Sequence, residues 1–108
     1  MELKIINVAK DFTRFPAGRY KSDGPFSGER FREEILAPAL KENDVLEVNL
    51  DGVAGYGSSF LDEAFGGLVR KNLLTASEVQ SRIRLKASDE SLVAEVLGYM
   101  AATSAQSA

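Results

Sequence analysis

The chain has 108 residues, of which 44% are hydrophobic and 27% are charged, and its formal net charge is −3. That length and composition indicate one globular domain, and the lack of a basic excess argues against nucleic acid or an anionic membrane as a partner. Because the sequence contains no histidine and no cysteine, it excludes imidazole bases, thiolate nucleophiles and zinc clusters built from those ligands.

The remaining polar residues predict no catalytic site, no metal site and no cofactor. The carboxylates are scattered along the chain, and none belongs to a loop with the spacing of metal ligands. No apolar run is long enough to span a bilayer, and residues 1–10 lack the pattern of a signal peptide. We therefore expect a cytoplasmic protein that is not an enzyme.

The first part of the chain predicts a strand, a turn-rich segment and a helix. The strand is expected at residues 2–8, and the following segment is dense in Pro, Gly, Ser and Asp, with a second short strand at residues 17–20. The helix is expected at residues 28–42, with Ser27 as N-cap and a charged, solvated face in GERFREE. Pro38 should kink or divide this helix.

The rest of the chain alternates strands with helices. Residues 45–50 and 82–86 alternate apolar and polar side chains, which predicts two strands with one buried face each. Helices are expected at residues 58–72 and 89–102, the second with Ser88 as N-cap, and residues 73–81 form a connector with at most a short helical turn. This order predicts one α/β domain over residues 1–102 and a frayed tail at residues 103–108.

The helical connection between the two alternating strands also predicts their arrangement. Strand 45–50 should be central and parallel to strand 82–86, because right-handed crossovers join parallel strands. The polar side chains on both strands predict a sheet that is not fully covered on both faces.

Two adjacent serines, Ser58 and Ser59, stand where the helix after the central strand should begin. Helix N-termini commonly present hydroxyl and N–H groups to partners or anions. A serine N-cap contributes about 1 kcal/mol, so one serine is explained as a cap and the other is left for a contact or regulatory role. The glycine turn before them, from Gly52 to Gly57, does not have its glycines in the Gly-x-Gly-x-x-Gly order of a phosphate-binding loop. The Asp51 carboxylate is expected to stabilise this turn by accepting hydrogen bonds from the backbone N–H groups of the turn.

The helix that follows the serines has two unequal faces. Its apolar half consists of Phe60, Leu61, Ala64, Phe65, Leu68 and Val69. Its other half carries charged residues and two glycines, which cost a helix interior about 2 kcal/mol relative to alanine. Such glycines indicate a close approach, either by another element of the domain or by a partner. Because both lie off the apolar arc, the pattern favours a partner.

Three pieces of sequence together resemble a known family: PAGRY (16–20), DGPFSGERFR (23–32) and GSSFLDEAFGGLVR (57–70). They are similar to the STAS-like family of unknown function, a bacterial group related to anti-sigma-factor antagonists. The resemblance implies an α/β fold with a small mixed β-sheet and helices packed mainly on one face.

The resemblance also implies a regulatory site. In the related antagonists, a partner kinase phosphorylates a serine at the start of the helix after the central strand, within an Asp-Ser-Ser-Gly context. The present chain keeps both serines in Gly57-Ser58-Ser59-Phe60 but lacks the preceding aspartate and the following glycine of that context. Ser58 and Ser59 are therefore the implied phosphorylation sites, and a histidine-kinase-like ATPase is the implied partner.

These observations predict a signalling module that binds a protein partner. The residues expected at the partner-binding surface are Gly55, Tyr56, Gly57, Ser58, Ser59, Asp62, Glu63, Gly66, Gly67 and Arg70. The alternative is a sensor of a small molecule or nucleotide that uses the turn from Gly52 to Ser59. Whether the chain forms a homodimer is left open by the sequence.

Overall fold

The computed structural model describes the backbone of residues 2–107 and the side chains of residues 2–102. Three strands, β1 (Leu3–Asn7), β2 (Val45–Asn49) and β3 (Ile83–Lys86), form one sheet in the order β1-β2-β3. Both strand pairs are parallel, which confirms the central position of β2 and its parallel pairing with β3. All three strands of this sheet therefore run in the same direction, whereas the family resemblance implied a mixed sheet.

A short 3-10 helix at Lys21–Asp23 and five longer helices complete the described part of the chain. The five longer helices are α1 (Val8–Asp11), α2 (residues 28–42), α3 (residues 58–70), α4 (Ala76–Arg82) and α5 (Glu90–Ser107). Both α2 and α3 contain one π-helical segment, Arg32–Leu36 and Asp62–Gly66 respectively. The segment in α2 lies just before Pro38, which has no N–H to donate to an α-helical partner, and the helix continues past it to Glu42.

The strand predicted at residues 17–20 is absent. The Asp23 carboxylate accepts the N–H groups of Arg19 and Tyr20 at 3.2 and 2.8 Å, and Gly18 has a φ of 93°. These backbone groups are therefore bound by a nearby side chain instead of a strand partner.

The predicted connector at residues 73–81 contains a complete helix, α4. Thr75 and Glu78 form a capping box, in which each side chain accepts the backbone N–H of the other at 3.3 and 2.9 Å. The Thr-x-x-Glu spacing was the sequence signal for this helix. Only Val79 among its residues is buried, so the apolar periodicity that would have supported the signal is missing.

Helix α5 begins later and ends later than predicted. The N–H and hydroxyl of Ser88 both donate to the Asp51 carboxylate, at 2.9 Å each, so Ser88 is not the N-cap. Asp51 accordingly ties the turn after β2 to the loop after β3, instead of binding its own turn as expected. The backbone is helical up to Ser107, and Ala108 lies outside the described residues, so the predicted fraying of residues 103–108 stays a prediction.

One face of the sheet packs against the helices and forms the core. Leu46, Val48 and Leu50 are buried on this face. The four core positions predicted on α3 are at most 1% exposed, which confirms the assigned helix phase; they are Phe60, Leu61, Phe65 and Leu68. None of the helices in the described residues is long and apolar enough to cross a membrane.

The opposite face of the sheet is open, as the polar strand positions predicted. Leu3 and Ile5 of β1 are 44% and 58% exposed. Arg84 and Lys86 of β3, on the far side of β2, are also exposed.

Candidate functional site

The turn at residues 51–57 connects β2 to α3 at the carboxyl end of the parallel sheet. This edge is where open α/β sheets commonly bind their ligands. Tyr56 is half-buried, and its hydroxyl donates to the Leu50 carbonyl at 2.8 Å. Burial, with a smaller contribution from Asp51, raises the pKa of Tyr56 far above its ordinary value. Tyr56 therefore remains neutral and fastens the turn to the end of β2.

The glycines of this turn face solvent. Gly55 and Gly57 are exposed, and a Cβ atom built on either would meet no atom within 4 Å. Neither glycine is required for close packing within the domain. Their exposed backbone is consistent with the predicted contact surface.

Ser58 and Ser59 are exposed, and neither caps the helix. The N-cap of α3 is Gly57, which has extended backbone angles, and no side chain accepts a hydrogen bond at this end. The two serines thus occupy the first two helical positions instead of the cap. The interpretation of one serine as an N-cap is wrong, and both hydroxyls lie at the helix N-terminus with no capping role.

The two serines differ in their surroundings. The Tyr99 hydroxyl of α5 donates to the Glu95 carboxylate at 2.6 Å and also hydrogen-bonds the Ser58 side chain. The bond to Glu95 raises the pKa of Tyr99, and the Asp62 charge contributes in the same direction. Ser58 therefore lies next to the Tyr99 phenol, which is itself bound to the Glu95 carboxylate.

An exposed aromatic residue that the sequence did not single out lies next to the glycine turn. The Arg14 carbonyl accepts the Ala54 N–H at 2.9 Å, and the Arg14 guanidinium donates to the Gly52 carbonyl at 3.3 Å. These bonds hold the neighbouring Phe15, whose side chain is 67% exposed, beside the turn. Single exposed apolar side chains are common on protein surfaces, so Phe15 is a candidate contact because of its place beside the turn and not because of its exposure alone.

The middle of α3 is buried against α2. Arg32 and Glu63 form an ion pair at 2.6 Å between Nη1 and Oε2, with side-chain exposures of 2% and 8%. The same guanidinium nitrogen donates to the Glu63 carbonyl at 2.8 Å. Arg32 is therefore buried although it lies in the segment predicted to carry a solvated face, whereas Arg30 and Glu34 pair on the surface as expected.

Close approach of the two helices depends on glycine. A Cβ on Gly67 would overlap the Arg32 guanidinium and lie 3.1 Å from Arg32 Cδ, and a Cβ on Gly28 would overlap the Phe60 carbonyl. Gly66 is also buried. Arg32 of α2 in the same chain therefore contacts Glu63 and approaches Gly67, which is the alternative of a close approach within the domain. Because Glu63, Gly66 and Gly67 are buried in the chain, they do not belong to its exposed surface.

Two further arginines extend the ion pair to the surface. Asp62 accepts from Arg19 at 2.7 Å and from Arg70 at 3.2 Å, and both guanidiniums also lie within 3.5 Å of Glu63 Oε1. Burial opposes ionisation of Asp62, but the hydrogen bonds from Arg19 and Arg70 outweigh it and lower its pKa. Asp62 and Arg70 are thus partly exposed members of an internal network that also holds the loop carrying Arg19.

A cleft of about 280 Å³ lies between the glycine turn and the start of α5. Its lining includes the carboxylates of Asp51, Asp89 and Glu95 and no basic side chain. Among the described residues, no group of three or more acidic side chains is placed to hold a metal ion.

The parallel sheet, its single helix-covered face and a helix that starts with exposed hydroxyls after the central strand define a small α/β domain. Residues 27–92 match the family described as a STAS-like domain of unknown function, and the chain belongs to that family. No curated protein and no solved structure matches the chain.

Proposed function

We propose that the chain is a non-enzymatic regulatory module that binds a protein partner through the turn surface, defined as Phe15, Gly55, Gly57, Ser58 and Ser59. The proposal rests on one observation above all, the two exposed serines at the start of α3 that cap nothing. Partner switching in the bacterial cytoplasm, with an ATPase of the histidine-kinase-like type, is the form of regulation that the family relationship supports.

Phosphorylation would act on this surface through charge. A phosphate adds close to two negative charges, which a helix N-terminus tolerates and can stabilise. The fold would persist, while the charge and bulk at the docking surface would change. A partner that contacts the unmodified serines would therefore be released.

Ser59 is the better switch of the two serines. The Ser58 hydroxyl is hydrogen-bonded to Tyr99, which is itself bound to the Glu95 carboxylate, so a phosphate on Ser58 would break this contact. Among the described residues, the exposed Ser59 side chain makes no hydrogen bond that a phosphate would have to break. We therefore assign the switching role to Ser59 and a contact role to Ser58.

A catalytic role for these serines has little support. A serine nucleophile needs an adjacent base to take its proton. The group next to Ser58 is the Tyr99 phenol, whose pKa is raised and whose hydrogen is already donated to Glu95. This arrangement supplies a hydrogen-bonding surface and no activated nucleophile.

If the chain is instead a small-molecule sensor, the cleft beside the turn is less suited to a nucleotide than to a cation or a neutral molecule. Phosphate groups would meet three carboxylates and no basic side chain in the cleft beside the turn. The observed electrostatics thus favour a protein partner at the turn surface over a nucleotide in the cleft.

Affinity capture from the native host, with mass spectrometry of bound proteins and phosphosites, tests the proposal. We expect the wild-type chain to retain an ATPase and the Ser59→Asp variant to lose it. The matched control is Ser77→Asp, because Ser77 also occupies the second position of an exposed helix N-terminus, that of α4. Equal retention by all three proteins, or capture of no ATPase, would contradict the proposal.

A further inference from the structure

A second surface lies far from the glycine turn in sequence, along the free edge of β1. A cleft of about 530 Å³ runs between this strand and α2. We call it the edge cleft. Its lining includes Glu2, Lys4, Asp11, Glu34, Pro38 and Glu42.

The edge cleft is acidic, and most of its charges are unpaired. Four carboxylates against one lysine leave three net negative charges. Glu34 pairs with Arg30 at 3.1 Å. In the part of the chain that the structure describes, no cation lies within ion-pair distance of Glu2, Asp11 or Glu42. A basic group entering the cleft would therefore find carboxylates that have no other counter-ion.

The other face of the same strand is apolar. Leu3 and Ile5 point to the open face of the sheet and are 44% and 58% exposed. Successive side chains of a strand alternate between its two faces. β1 thus offers apolar contacts on one face and, through the adjoining cleft, acidic contacts on the other.

An edge strand also offers backbone groups that have no partner within the sheet, and such edges accept an added strand. β1 is the last strand on its side of the three-stranded sheet. A fourth strand laid against it would place one set of alternate side chains beside Leu3 and Ile5. The other set would project over the carboxylates of the edge cleft.

We propose that the edge cleft binds an extended segment of a partner protein in which basic and apolar residues alternate, added as a fourth strand beside β1. Charge complementarity selects the basic positions, and the exposed side chains of Leu3 and Ile5 select the apolar ones. Backbone hydrogen bonds supply affinity in this mode of recognition, and the alternating side chains supply specificity. The proposal does not depend on the turn surface.

The probe is a fluorescein-labelled octapeptide that alternates valine and lysine, titrated with the intact chain and followed by anisotropy. Two comparison peptides share its composition and charge: one has the valines and lysines in separate blocks, and one is N-methylated at every second backbone nitrogen. We expect the alternating peptide to bind at least about tenfold tighter than either. Equal affinity for the block peptide, or unchanged affinity after N-methylation, would overturn the proposal.

Charge reversal locates the binding site on the protein. Glu42→Lys should weaken binding of the alternating peptide by about tenfold. Glu90→Lys is the matched control, since Glu90 is an exposed acid at the start of α5 outside the edge cleft, and its effect should be negligible. No binding, or the same loss in both variants, would overturn the proposal. The proposal would also be overturned if sedimentation showed a concentration-dependent dimer that Ile5→Glu abolishes. The free edge of β1 would then bind a second copy of the chain.

Discussion

The first turn of α3 and its middle turns are similar in sequence but opposite in environment. Both contain glycine and polar residues, in Gly57-Ser58-Ser59 and in Asp62-Glu63 followed by Gly66-Gly67. The first turn is exposed and its serines cap nothing, whereas Glu63 and Gly67 are buried against Arg32 of α2. Glycine next to polar residues is therefore compatible with either a free surface or a tight helix crossing.

What separates the two regions is the presence of a complementary residue on another element. Arg32 supplies the counter-charge for Glu63 and fills the space above Gly67. The first turn has open space around Gly55 and Gly57 instead. A buried charge is tolerated only with a well-placed partner, so the crossing carries a structural role and the first turn is left for binding.

The largest expected loss of stability comes from truncating an aromatic residue of the core, and an exposed aromatic residue serves as the comparison. Phe65→Ala should lower the free energy of unfolding by about 3–5 kcal/mol, because it opens a cavity in the core. Phe15→Ala, at the exposed side chain beside the turn, should change it by less than about 0.5 kcal/mol. Urea denaturation of both variants checks the pair. A similar loss in both would place Phe15 in the core and remove it from the turn surface.

The second largest loss of stability is expected when one partner of the buried ion pair between Arg32 and Glu63 is removed. Glu63→Gln removes the buried carboxylate that pairs with Arg32 at 2.6 Å and leaves only the exposed Glu33 at 3.8 Å, which should cost about 3 kcal/mol. Glu34→Gln, at an exposed carboxylate on α2 that pairs with Arg30, should cost less than about 1 kcal/mol. Arg32→Met combined with Glu63→Gln should recover part of the loss. Equal small effects of the two single variants in chemical denaturation would show that the pair is solvated.

Replacing a glycine by alanine shows whether that glycine is needed for close packing or lies in open space. Gly67→Ala should destabilise the chain by about 1–3 kcal/mol, since the new methyl group displaces Arg32. Gly55→Ala should be neutral or stabilising by up to about 1 kcal/mol, because the site is open and its φ is not positive. Thermal melting of the two variants provides the measurement. Stabilisation by Gly67→Ala would return this glycine to the predicted partner-binding face.

The network around Asp62 predicts a pH dependence in acid. Its pKa is lower when folded than the ordinary value of 3.8, so its contribution to stability is complete above that value and declines as the pH falls through the folded pKa. Asp62→Asn should therefore be less stable than wild type at pH values above 3.8, with a difference that shrinks on further acidification. Denaturation curves across this range check the effect, and a difference that grows in acid would contradict it.

Most of the fold could be predicted from the chain because its strands and helices carry clear apolar periodicities. The alternation in β2 and β3 and the apolar arc of α3 each indicate the correct element and the correct buried face. Helix α4 was missed because it buries little, and the false strand at residues 17–20 reflects a competing side chain, Asp23.

The candidate site could be predicted only in part. The position of Ser58 and Ser59 at the start of α3 follows from the strand-turn-helix pattern. Whether a serine caps depends on which residue is the last non-helical one, and in the structure that residue is Gly57. The burial of Arg32 depends on a residue of another helix, Glu63, thirty-one positions away, and helical periodicity carries no information on such pairs.

The central proposal, that the first turn of α3 is a switchable docking surface, is tested by titrating the captured partner into four purified proteins. They are the wild type, Ser58→Asp, Ser59→Asp and the control Ser77→Asp, all first shown to be folded with similar melting temperatures. We expect Ser59→Asp to weaken binding by at least about tenfold, or about 1.4 kcal/mol, with the control unchanged. Equal affinity of the partner for all four proteins would contradict the proposal and leave the serines without a role in binding.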